Sequence, residues 1–148
     1  MKTTANNKVV TEEVSFFGHL MVRATHGRTI EITTERHLTP SGDCIVGVKA
    51  EKGLAQLSAA TKSALRSETA RVKITLATPG GRFSFAARGS KDLTFESETD
   101  MVIRRSSFIC GRTLAIQSAA SANDIPRDLV KTLKSPESTG LLRIDVHL

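Results

Sequence analysis

The chain contains no tryptophan and no tyrosine, and six phenylalanines are its whole aromatic content. So few flat rings argue against an exposed sheet that stacks bases on aromatic platforms. Cysteine is nearly as scarce. Cys44 and Cys110 are the only two, too few for the disulfide framework of a small secreted domain. No stretch approaches the ~20 apolar residues of a membrane-spanning helix, and the opening MKTTANNKVV lacks the apolar run of a signal peptide. Spacings that name a reaction are missing too. There is no CxxC, HxH or HExxH, no Lys-Ser/Thr after Gly80-Gly81, and no GxGxxG opening a helix. A cytoplasmic location, no membrane contact and no cofactor are the resulting expectations.

What is present is a basic chain of one-domain length. Its 148 residues carry a formal net charge of +6 at pH 7, which favours anionic partners or simply keeps the protein soluble. Residues 1–12 are mostly polar and read as a flexible N-terminus, with residues 13–148 as a single domain.

Within that domain the order of elements recurs, which divides it into two repeats, about 14–77 and 81–148. Setting Gly18 on Gly81 matches Ala24 with Ala87, Ile30 with Leu93, Ile32 with Phe95, Glu35 with Glu98 and Leu38 with Met101. After an insertion in the second copy, Val46 and Val48 meet Leu114 and Ile116, and Leu57 and Leu65 meet Ile125 and Leu133. Each repeat reads strand, strand, strand, helix, strand. His19–Ala24 and Thr29–Thr33 alternate apolar with polar residues, the mark of half-buried strands. Cys44–Lys49 is a more continuous apolar strand after the turn at Pro40–Asp43, and Arg71–Leu76 and Leu141–Val146 close the two copies. Helical spacing runs through Leu54, Leu57, Thr61 and Leu65, and again through Ile125, Leu129, Val130 and Leu133, with Asp124 as a cap. Two such units bury their faces only against each other. The expected fold is therefore mainly β, a pseudo-twofold duplicated β-sandwich or barrel with one short helix per half. An α+β two-layer sheet is the alternative.

Polar groups gather at the turns. In the first half, Arg23–Arg28 (RATHGR) and Thr39–Cys44 (TPSGDC) bring His26, Asp43 and Cys44 forward, while His19 opens the first predicted strand. As a nucleophile, Cys44 would take His26 or His19 as its base and Asp43 or Glu31 as orienter. Against this, Ile45 and Val46 follow it, and free cysteine is among the most buried residue types. Cys110, inside FICG, reads as core. As metal ligands, His19, His26 and Cys44 have the right chemistry without a supporting spacing. As an anion site, Arg104, Arg105, Arg112 and Thr113 of the second half face the RATHGR turn, and the forked guanidinium suits phosphate or carboxylate. Gly111 beside Arg112 would let a ligand approach the backbone.

The strings GDCIVGV at Gly42–Val48 and ICGRTLA at Ile109–Ala115 resemble an archaeal family catalogued as domain of unknown function 371. Thr25-His26, Glu31-Ile32-Thr33, Leu38-Thr39 and Asp100-Met101-Val102 resemble it as well. The resemblance covers nearly all of the chain after the first dozen residues. It implies a stand-alone, cytosolic, mostly β domain, and it carries over no catalytic residue. The leading functional expectation is binding of an anionic small molecule, or of nucleotide or RNA phosphate, between the two repeats, with Arg112, Arg104 and His26 on the anion, Thr113 beside them and Asp43 orienting. The alternatives are an enzyme using Cys44 or a His/Cys-bound metal, and a non-specific nucleic-acid binder. Oligomeric state is not legible.

Overall fold

A computed structural model describes residues 8–38 and 41–148. The chain enters a sheet at Val9. Strand β1 (Val9–Phe17) pairs along its whole length with β8 (Thr139–His147). The tail expected over residues 1–12 therefore includes four strand residues at its end, while residues 1–7 lie outside the described residues. The inward positions Val10, Glu12, Val14 and Phe16 do alternate with outward ones. The carboxylate of Glu12 disguises the pattern, being covered by Lys52 Nζ at 2.6 Å and by the Ser58 N–H at 3.0 Å.

Strands β4 (Arg71–Thr78) and β5 (Gly81–Arg88) complete an antiparallel sheet in the order β1-β8-β4-β5. Pro79-Gly80 is the tight link between them, narrower than the flexible 77–81 linker the sequence suggests. The second sheet has the order β3-β2-β6-β7, made of β2 (Thr29–Thr33), β3 (Ile45–Gly47), β6 (Asp100–Arg104) and β7 (Thr113–Ala115). Its centre is the antiparallel β2–β6 pair, with a parallel strand outside each. Side chains alternate across that centre. Ile30, Ile32, Met101 and Ile103 join the one apolar core that both sheets contribute to. Thr29, Glu31 and Thr33, with Asp100, Val102 and Arg104, occupy the opposite face.

No barrel closes. The sheets touch at two corners, each held by a single reciprocal pair. Phe17 and Val48 exchange bonds of 2.8 Å, and Arg88 and Ile116 exchange bonds of 2.8 and 2.9 Å. The fold is mainly β, and among the described residues it contains two α-helices, α1 (Ala59–Leu65) and α2 (Arg127–Leu133). A single 3₁₀ turn precedes each helix, at Leu54–Gln56 and at Ala122–Asp124. Ser58 caps α1 by accepting the Thr61 N–H. Asp124 does not cap α2. Its carboxylate accepts from the Ser121 N–H instead and closes the 3₁₀ turn, and Pro126 stands at the helix start.

His19–Ala24 is not a strand. The alternation that predicted one holds only over Met21–Ala24, where Val22 and Ala24 are buried and Met21 and Arg23 exposed, and Leu20, which it would put inside, is exposed. However, the backbone bonds elsewhere: His19 N–H donates to Leu133 O at the end of α2, Val22 N–H donates to His19 O, and Ala24 holds φ +51°. Period-2 burial needs alternation, not a ladder.

One set of hydrogen bonds occurs twice. His19 N–H to Leu133 O recurs as Ser90 N–H to Leu65 O, Glu31 N–H to Cys44 O as Val102 N–H to Arg112 O, and Lys49 N–H to Glu35 O as Gln117 N–H to Ser106 O. This pattern sets His19 beside Ser90, Ala24 beside Phe95 and Ile32 beside Ile103, so the early part of the sequence register, anchored on Gly18 and Gly81, is displaced. Gly18 corresponds to Gly89. A Cβ on either would collide with the carbonyl that ends a helix, Leu133 O or Leu65 O.

Candidate functional site

The polar face of the β2–β6 pair gathers residues from both halves of the chain. Glu31 sits near its centre, buried at 6% exposure, directly across from Val102. Arg112, just ahead of β7, reaches over to it: Nη2 lies 2.9 Å from Glu31 Oε2, and Nε lies 3.0 Å from Asp100 Oδ2. From the other side the Cys44 thiol donates to Glu31 Oε1 at 3.6 Å, and the Thr29 hydroxyl contacts the same sulfur. Burial pushes the Glu31 carboxyl above its usual range, with Asp100 adding to the rise, while Arg112 pulls it back in part. Burial and the neighbouring Glu31 push Cys44 up to about 11. At neutral pH it is a thiol rather than an activated thiolate.

His26 joins this cluster through Thr29. Its Nδ1 accepts the backbone N–H groups of Arg28 (3.1 Å) and Thr29 (3.2 Å) and lies 3.2 Å from Thr29 Oγ1. Asp43 is brought close by its backbone, its carbonyl accepting from Thr25 N–H and His26 N–H. Among the described residues no His nitrogen bonds to the Cys44 sulfur, which faces Glu31. His19 stands apart, against the end of α2, with its Nδ1 accepting the Met21 N–H at 3.0 Å. Among the described residues no group of three or more His, Cys, Asp or Glu is placed to hold a metal ion. Thr39 lies outside the described residues.

The far end of the β2–β6 pair has a different character. Arg104, across from Thr29, donates through Nε to Thr113 Oγ1 (2.8 Å) and through Nη2 to Cys110 Sγ (3.2 Å), and its guanidinium lies 5.0 Å over the Phe108 ring. Arg105 N–H donates to Arg28 O, so the RATHGR turn and the second-half arginines do meet there. Arg105 pairs with Asp124 at 2.9 Å. Cys110 is not a core residue. It is partly exposed, and although burial acts to raise its pKa, the Arg112 N–H, the Thr113 hydroxyl and Arg104 outweigh that and hold it below the ordinary thiol value. Gly111 does not open room for a ligand, because Glu96 Oε1 lies 2.6 Å from where its Cβ would be. Cavities of about 320, 340 and 350 Å³ lie elsewhere, and of the candidate residues His19 alone lines one of them. What the signature loops share is a sheet face.

Sequence reasoning missed Asp100, Thr29 and the exposure of Phe108 and Cys110. The first two were legible as a carboxylate and a hydroxyl on the non-core face of a strand, once the register of β2 against β6 is known.

The chain was compared with known proteins. An uncharacterised protein, MJ0206 of Methanocaldococcus jannaschii, is 44% identical over 117 residues, which is 79% of this chain and 86% of that protein. The family model described as "Domain of unknown function (DUF371)" matches residues 14–147. With so nearly complete a match, the chain belongs to the DUF371 family.

Proposed function

We propose that the protein binds an anionic ligand, a small metabolite or the phosphate of a nucleotide or RNA, at the Arg104 end of the β2–β6 pair. The observation that carries this reading is the state of Arg104. Its guanidinium is half-buried and oriented by Thr113, Cys110 and Phe108, yet it has no carboxylate partner among the described residues. An uncompensated guanidinium in partly dry surroundings gains more from an anion than a solvated one does. Arg28 and Arg105 flank it, and Phe108, 60% exposed, offers a ring for a planar ligand to stack on.

Arg112 takes a different role on this reading. Two carboxylates already meet its charge, so it holds Glu31 and Asp100 in place and is not the anion contact. The site lies where two copies of one unit join. The twice-used hydrogen bonds and the order strand, parallel strand, 3₁₀ turn, helix, strand support a duplication, with the sheets stacked as a sandwich over a shared core.

The test is calorimetric titration with inorganic phosphate, adenosine monophosphate and a short RNA at fixed salt. Saturable binding is expected for at least one, weakened about tenfold or more by Arg104→Ala, as loss of a charge-assisted bond requires. Equal affinity of Arg104→Ala for every probe, or no saturation of the wild type, would overturn the reading. A second reading, thiol chemistry, is favoured at Cys110 by its lowered pKa beside Arg104.

A further inference from the structure

At the corner where β1 meets the end of β3, a cavity of about 340 Å³ is lined by Gly18, His19, Leu20, Arg36, Lys49 and Pro136. It lies beyond the Thr33 end of β2, whereas the Arg104 cluster lies at the Thr29 end. Three of its six lining residues are basic in type, and no carboxylate lines it. Neither Arg36 nor Lys49 has an ion pair among the described residues, Lys49 instead lying 5.4 Å over the Phe17 ring. Because His19 Nδ1 accepts the Met21 N–H, the ring proton sits on Nε2, which has no protein acceptor among the described residues. The apolar wall is Leu20, left 70% exposed, and Pro136.

The fold does not require these groups. The second half builds the same corner with the same backbone bonds, and there Ser90 stands for His19, Lys91 for Leu20, Ser107 for Arg36 and Gln117 for Lys49. Lys49 and Gln117 even share the same unusual backbone, at φ +51° and +50°. Two basic side chains without ion pairs among the described residues, beside an exposed leucine, raise the local potential and leave apolar surface wet. An amphiphilic anion relieves both.

We propose that this corner is a second binding site, taking a small organic anion whose phosphoryl or carboxylate oxygens meet Arg36, Lys49 and His19 Nε2–H and whose compact apolar body covers Leu20 and Pro136. Phenyl phosphate carries both features, phenol only the apolar body and inorganic phosphate only the charge. Titrating the full-length, isotope-labelled protein with each, and following its amide resonances, tests the site. Phenyl phosphate should shift the amides of His19, Leu20, Met21 and Lys49 saturably and more tightly than either fragment.

The variants His19→Ser, Arg36→Ser and Lys49→Gln borrow side chains the other half already uses, so the fold is retained, and the unchanged remainder of the spectrum verifies it. Arg36→Ser and Lys49→Gln should each raise Kd roughly tenfold, whereas Arg104→Ala should leave these shifts untouched. No saturable shift at these amides, equal affinity for inorganic phosphate and phenyl phosphate, or unchanged affinity in the Arg36→Ser/Lys49→Gln double variant would each overturn the proposal.

Discussion

At the scale of single residues, the chain neighbours make both cysteines read as buried, and the structure overturns that reading for Cys110. Cys44, followed by Ile45 and Val46, folds against a buried carboxylate, and its pKa rises to about 11. Cys110 lies between apolar residues and looks like core, but the fold points its sulfur at Arg104. At pH 8 only about a thousandth of Cys44 is thiolate. Iodoacetamide should therefore alkylate Cys110 first and by a wide margin, read by mass spectrometry on the intact and digested protein. Faster labelling of Cys44 would contradict the geometry of both sites. The arginines show the same lesson, because a guanidinium's availability depends on which carboxylates fold beside it.

At the scale of elements, close approach at glycine holds the sheets together. The ring of Phe16 on β1 occupies the space a Cβ would need at Gly47 on β3 and at Gly140 on β8. One aromatic thus bridges both sheets between two strands that cannot carry side chains there. Gly140→Ala must displace that ring and should cost roughly 1–3 kcal/mol, seen as a lower urea midpoint with an unchanged slope. Pairing it with Phe16→Leu should recover part of the loss, since the two changes share one space. Helix α1 depends on a cap, so Ser58→Ala should cost about 1 kcal/mol in the same assay.

At the scale of the whole molecule, acid stability follows from carboxyl groups whose pKa values shift in opposite directions on folding. For Asp145, burial alone would raise the pKa, but Thr11 (2.6 Å) and Arg143 (3.1 Å) outweigh it, and Glu12 is likewise held low by Lys52, Thr61 and Ser58. Both favour folding above their unfolded pKa values, and that contribution disappears as pH falls through their depressed folded values, below about pH 4. Glu31 is raised, so it favours the folded chain at low pH and loses that contribution as pH rises through its folded value. Stability should fall on acidification from pH 5 to 3, and more steeply in Glu31→Gln, which lacks the opposing group. A shallower fall in that variant, measured by urea midpoints across the range, would show that Glu31 is not raised.

Alternation and turn chemistry were enough to read Thr29–Thr33 as a strand with the bounds it has, and to find β4, β8 and both helical segments to within a few residues. They also established a mainly β chain with two helices, because the apolar period and the Gly and Pro breaks are local properties. The same reasoning made a strand of His19–Ala24 and cut the tail too late, because burial, not pairing, was what it detected. The register of β2 against β6 was beyond local reading, and together with the β2–β3 and β6–β7 pairings it decides that Glu31, Arg112, Asp100 and Cys44 meet while His19 does not. Glu31 and Arg112 lie 81 residues apart in the chain, and their contact depends on how β2 pairs with β6. The physical reason is that side-chain charge, exposure and thiol acidity are set by neighbours in space.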